Sequence, residues 1–72
     1  MNISIQGKPQ DGKILMDVYL DDDDTPNNAS IQLWVDYDDS MKVLRQNTLE
    51  ELTSFLEQSL RSAKELDLNL DG

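Results

Sequence analysis

The sequence predicts an α+β protein: an antiparallel four-stranded β-meander with one C-terminal α-helix packed on one face. Three observations carry this. Apolar and polar residues alternate in several early segments, the period of half-buried strands. Leu49, Leu52, Phe55, Leu56, Leu60 and Ala63 then recur at helical spacing. Turn-forming residues separate the segments.

The first strand is read from Ile3 and Ile5 alternating with Asn2, Ser4 and Gln6. Gly7-Lys8-Pro9-Gln10-Asp11-Gly12 follows as a short hairpin loop, in which Asp-Gly tolerates positive φ. Ile14, Met16, Val18 and Leu20 make the second strand. Residues 21–28 have no apolar side chain, contain Thr25-Pro26-Asn27-Asn28, and read as a loop. Ile31, Leu33, Val35 and Tyr37 make the third strand. Asp38-Asp39-Ser40 reads as a tight turn into a short fourth strand over residues 41–45. The helix is expected to start at Asn47 or Thr48, each of which forms a capping box with Glu50 or Glu51. It should bury Leu52, Leu56 and Leu60. Leu66, Leu68 and Leu70 then alternate with polar residues as a short fifth strand or a frayed tail.

Pairing Val18 with Ile31 and Tyr37 with Met41 assigns the faces. Ile3, Ile5, Ile14, Met16, Val18, Ile31, Leu33, Val35, Met41 and Val43 share one face, which the helix covers. The opposite face carries Leu15, Trp34 and Leu44 in one row and Lys13, Asp36 and Lys42 in the next. Asp17 and Tyr19 lie on the other side, toward the aspartate-rich loop.

The 72 residues allow one small domain, over residues 1–72. A chain this short has a thin core. It has no cysteine and no histidine, which excludes disulfides and the usual zinc ligand sets. The first residues, Met1-Asn2-Ile3-Ser4-Ile5, lack the basic and apolar regions of a signal peptide. The longest apolar runs are three residues, too short to cross a membrane. The expected location is cytoplasmic.

Charge is distributed very unevenly. The 23 residues from Asp17 to Asp39 hold eight aspartates (Asp17, Asp21, Asp22, Asp23, Asp24, Asp36, Asp38 and Asp39) and no lysine or arginine. The other 49 residues hold seven acids against six bases, so −8 and −1 make the total of −9. A concentrated field selects basic partners and speeds their encounter. The same field disfavours nucleic acid and anionic membranes as direct partners.

Catalysis has little support. Nucleophile activation by His or Cys is excluded, and neither a G-x-S-x-G elbow nor a Gly-rich phosphate loop occurs. Calcium is a weak alternative. Residues 21–24 lack the spacing and glycine of a calcium loop. Asp67-Leu68-Asn69-Leu70-Asp71-Gly72 matches the opening of an EF-hand loop, without its later ligands. No cofactor is expected.

Carboxylates along strands and loops can imitate a phosphate track, so a protein that grips nucleic acid with Lys and Arg could be blocked by this surface. In smallness, acidity and lack of catalytic residues the chain resembles the phage-encoded inhibitors of host defence, including anti-CRISPR and anti-restriction proteins. The resemblance is one of class and carries no site residue across. The expected partner-binding residues are therefore read from charge and exposure: Asp17, Tyr19, Asp21, Asp22, Asp23, Asp24, Trp34, Asp36, Asp38 and Asp39. Asp38 and Asp39 are expected to matter most, as unpaired charges at a rigid turn. The competing readings are a homodimer through the Leu15–Trp34–Leu44 row, and a Trp34 merely half-covered by Leu15, Leu44 and the lysine stems.

Overall fold

The computed structural model describes the backbone of residues 1–71 and the side chains of residues 1–66. The chain runs β1 (Asn2–Ile5), β2 (Lys13–Asp21), β3 (Asn28–Asp36) and α1 (Met41–Asp71). The strands form one antiparallel sheet in the order β1-β2-β3, with α1 packed chiefly over β3.

Turn chemistry sets the register. At the first hairpin, Gln10 and Lys13 exchange backbone hydrogen bonds of 2.7 and 2.9 Å around Asp11 and Gly12. Those two residues have φ of 53° and 76°. Positive φ at both central positions is the twist-matched hairpin turn that Asp-Gly favours. The Tyr37 N–H donates to the Gly12 carbonyl at 2.9 Å, so the end of β3 is held against the same turn. Val18 then pairs with Ile31, Leu15 with Trp34 and Lys13 with Asp36.

Alternation does the rest. Ile14, Met16, Val18, Leu33 and Val35 point to one side and, with Leu44 and Leu52 of the helix, form the buried core. Ile3, Leu20 and Ile31 pack around it half-buried. Ile5 is exposed, because the helix lies over β3 and leaves the β1 edge of this face uncovered.

The fourth strand is not formed. Residues 41–45 are the first turn of α1. Ser40 caps it: its carbonyl accepts the Leu44 N–H at 2.9 Å, and its Oγ accepts the Val43 N–H at 3.4 Å. The alternation of Met41 and Val43 suggested a strand, but Leu44 is the residue that is buried, and it heads the series Leu44, Thr48, Leu52 at i, i+4, i+8. Thr48 is not a cap. It is fully buried in the second turn and donates its hydroxyl to the Leu44 carbonyl at 2.8 Å. The fifth strand is also absent, since the helical backbone continues to Asp71.

The early start changes what the helix can cover. At 1.5 Å per residue a 31-residue helix is about 46 Å long, whereas nine-residue strands span about 30 Å. The last helix residue buried among those described is Leu52, and every side chain over residues 53–66 is exposed. Leu56 and Leu60 were expected in the core, and they are 40% and 58% exposed. The helix overhangs the sheet.

Candidate functional site

The helix covers one side of the sheet and leaves the other open. On the open face the strand register sets out successive rows: Lys13–Asp36, Leu15–Trp34, Ser4–Asp17–Gln32, Asn2–Tyr19–Ser30 and Asp21–Asn28. Trp34 is 50% exposed and Tyr19 40%. Leu15 is half-buried beside Trp34. Leu44 is not part of this row, because it lies in the core on the opposite side. Lys42 is likewise in the helix and does not flank Asp36.

The acids fall into two groups at opposite ends of the sheet. Asp21 ends β2 and leads into the hairpin loop with Asp22, Asp23 and Asp24. Asp36 ends β3 at the far end, followed by Asp38 and Asp39 in the connection to the helix. The eight residue steps of β2 put about 27 Å between these poles. Asp17, half-buried mid-strand, accepts a hydrogen bond from the Ser30 hydroxyl at 3.0 Å and lies between them. The stretch that is continuous in sequence is thus a dumbbell of negative charge, with Trp34 and Tyr19 on its bar.

Several of these carboxylates already have partners. Asp36 forms an ion pair of 2.7 Å with Lys13, and its carbonyl accepts the Asn47 side-chain amide at 3.1 Å. The hydrogen bond and then the charge of Asp36 raise the Lys13 ammonium above its ordinary value. Both groups are solvent-exposed, so the pair adds little stability. Asp22 organises its own loop: one oxygen accepts the Asp24 N–H at 3.0 Å and the other the Thr25 hydroxyl at 2.9 Å. These two bonds, in that order, lower its pKa.

Asp38 and Asp39 differ from expectation. They do not sit at a strand–strand turn but in the connection from β3 to the helix, where they are hydrogen-bonded within the chain and have no basic side chain in ion-pair contact among the described residues. Asp38 accepts the Ser40 N–H at 2.8 Å, just before the helix, and Asp39 accepts the Tyr37 hydroxyl at 2.8 Å. That bond, followed by the Asp39 charge, raises the Tyr37 phenol above its ordinary value. Asp23 and Asp24 have exposed side chains on the loop.

No cleft encloses any of these groups among the hollows on the described surface. One shallow hollow lies at the second hairpin, lined by Leu20, Asp21, Asp22, Asn27, Asn28 and Ala29. Others lie along the overhanging helix, one of them between Glu57, Leu60, Arg61 and Lys64. Among the described residues no three acids converge as a metal-ion cage. The tail acids Asp67 and Asp71, which opened the EF-hand-like segment, lie outside the described side chains. No helix is long and apolar enough to cross a membrane among the described residues.

Comparison with protein-family models, curated proteins and solved structures returned no match. The functional reading therefore rests on the surface itself. Sequence reasoning missed the overhanging face of the helix, whose apolar stripe it had assigned to the core.

Proposed function

We propose that this chain is a non-enzymatic interaction protein that seats the open face of its sheet on a basic surface of a larger protein, one that itself binds nucleic acid. The observation that carries this is Trp34, half-exposed on a rigid strand between two acidic poles. Trp and Tyr are common anchors at interfaces, and a β-strand holds them without loss of backbone entropy on binding. The poles supply the long-range attraction and would occupy Lys and Arg side chains that otherwise meet phosphates. A shallow, open surface without a water-excluding pocket suits docking better than acid–base catalysis.

The test is capture from the source cell on the immobilised protein at low salt, repeated with Trp34→Ala and in the presence of duplex or single-stranded competitor nucleic acid. A nucleic-acid-binding protein should be retained, displaced by the competitor, and weakened by Trp34→Ala by about 2 kcal/mol, the range of an interface anchor. A captured protein that stays bound in saturating competitor would refute phosphate mimicry. One indifferent to Trp34→Ala would refute the open face.

A further inference from the structure

The helix carries a second surface, distinct from the open sheet face. Over residues 53–66 it has left the sheet, yet its apolar stripe continues. Phe55, Leu56, Leu60 and Leu66 are 46%, 40%, 58% and 61% exposed. Fourteen residues of helix make about 21 Å of uncovered amphipathic surface.

We propose that this overhang pairs with the same segment of a second copy of the chain, antiparallel, about a two-fold axis between residues 60 and 61. Two features point to a second copy. The first is charge. The protein as a whole carries −9, but residues 53–66 hold Glu57 and Glu65 against Arg61 and Lys64, a net of zero. None of the eight clustered aspartates lies in residues 53–66, so the two contacting segments themselves bring no net charge together.

The second feature is self-complementarity, which a two-fold contact requires. At 3.6 residues per turn, Glu57 and Lys64, seven apart, fall on one flank of the stripe. Phe55 and Leu66 fall on the other flank, and Leu56, Leu60 and Ala63 lie between the two. In a two-fold antiparallel pair like flanks meet. An axis between residues 60 and 61 sets Glu57 opposite the second copy's Lys64, and the same register sets Phe55 opposite the second copy's Leu66. Each contact occurs twice. One register thus satisfies the charged flank and the apolar flank together, with the leucines closing the seam. The contact is small, so the dimer should be reversible and concentration-dependent.

The experiment is sedimentation of the full chain at near-physiological salt from low micromolar to near millimolar concentration. Wild type should shift reversibly from monomer to dimer. Leu60→Glu should weaken the dimer at least about tenfold. Glu57→Lys and Lys64→Glu should each weaken it about fivefold, since each turns two attractive contacts into repulsive ones. Mixing the two charge variants in equal amounts should restore association. Only a pair in which residue 57 faces the second copy's residue 64 predicts that rescue. All three positions are exposed in the monomer, and an unchanged helical circular-dichroism spectrum at the lowest concentration checks that the variants are folded. A chain that stays monomeric throughout overturns the proposal. So does a dimer that tolerates Leu60→Glu, that fails to be rescued by the mixture, or that is lost instead in Trp34→Ala.

Discussion

At the scale of single residues, Thr48 shows most directly how burial decides a role. Asn47-Thr48 followed by Glu50-Glu51 has the composition of a helix start. Thr48 is instead fully buried, with its hydroxyl bonded to the Leu44 carbonyl. Aspartate is as good a cap as threonine, so Thr48→Asp would be neutral or better at a real N-terminus. At a buried position it places a charge among Leu44, Leu52 and the sheet. The expected loss is about 3 kcal/mol or more in a urea melt. A loss below about 1 kcal/mol would mean that the site is open to water. Tyr37 gives a second residue-scale expectation. Its neutral phenol is the donor to Asp39, so the bond favours the protonated form, and the pKa lies above the ordinary 10.0. The contribution is therefore complete below pH 10.0 and is lost as pH rises through the higher folded value. With Tyr19→Phe making Tyr37 the only phenol, ultraviolet titration should show ionisation above the ordinary value, and Asp39→Ala should bring it down toward it. An unchanged curve in Asp39→Ala would show that the bond is not formed in solution.

At the scale of elements, the three strands that form were legible, whereas the helix start was not, since residues 41–45 read as a fourth strand. Alternation alone places Ile14, Met16, Val18, Leu33 and Val35 on one side, and the register pairing Leu15 with Trp34 and Lys13 with Asp36 follows from it. The helix start was hidden because Gln46, Asn47 and Thr48 interrupt the apolar run with polar side chains, one of them buried. A helix beginning at Asn47 would nearly match the sheet in length, so its whole stripe had somewhere to go. One beginning at Met41 places Leu44, Thr48 and Leu52 in the core, and the residues after Leu52 emerge as the overhang. Of the three leucines expected in the core, Leu52 alone is buried. Leu52→Ala should cost about 2–5 kcal/mol, as deletion of a fully packed side chain does. Leu56→Ala, measured at concentrations where the chain is monomeric, should cost less than about 1 kcal/mol, because Leu56 is already 40% exposed. Equal losses would place the sheet's cover further along the helix. Ser40→Ala should cost about 1 kcal/mol or less, given the long 3.4 Å bond from Val43.

At the scale of the whole molecule, two exposed surfaces differ in character. The open sheet face is acidic at both ends and aromatic between them, and the overhanging helix is apolar with balanced charge. What the sequence presents as one block of aspartates is folded into two poles about 27 Å apart, a separation that only the strand register reveals. Hydrogen bonding within the chain further distinguishes them. Asp22, Asp38 and Asp39 are tied to their own loops, whereas Asp23 and Asp24 project from exposed positions. Charge acts at long range whether or not an oxygen is hydrogen-bonded, so all of these acids should contribute to steering a basic partner.

Under the proposed function, this field brings the partner to the open face, and the association rate of the captured partner should therefore depend on salt. Raising salt from about 0.05 to about 0.5 M shortens the Debye length several-fold. The on-rate should fall by tenfold or more, with the off-rate changing much less. An on-rate that does not change with salt would contradict the account and leave the apolar contacts alone to explain binding.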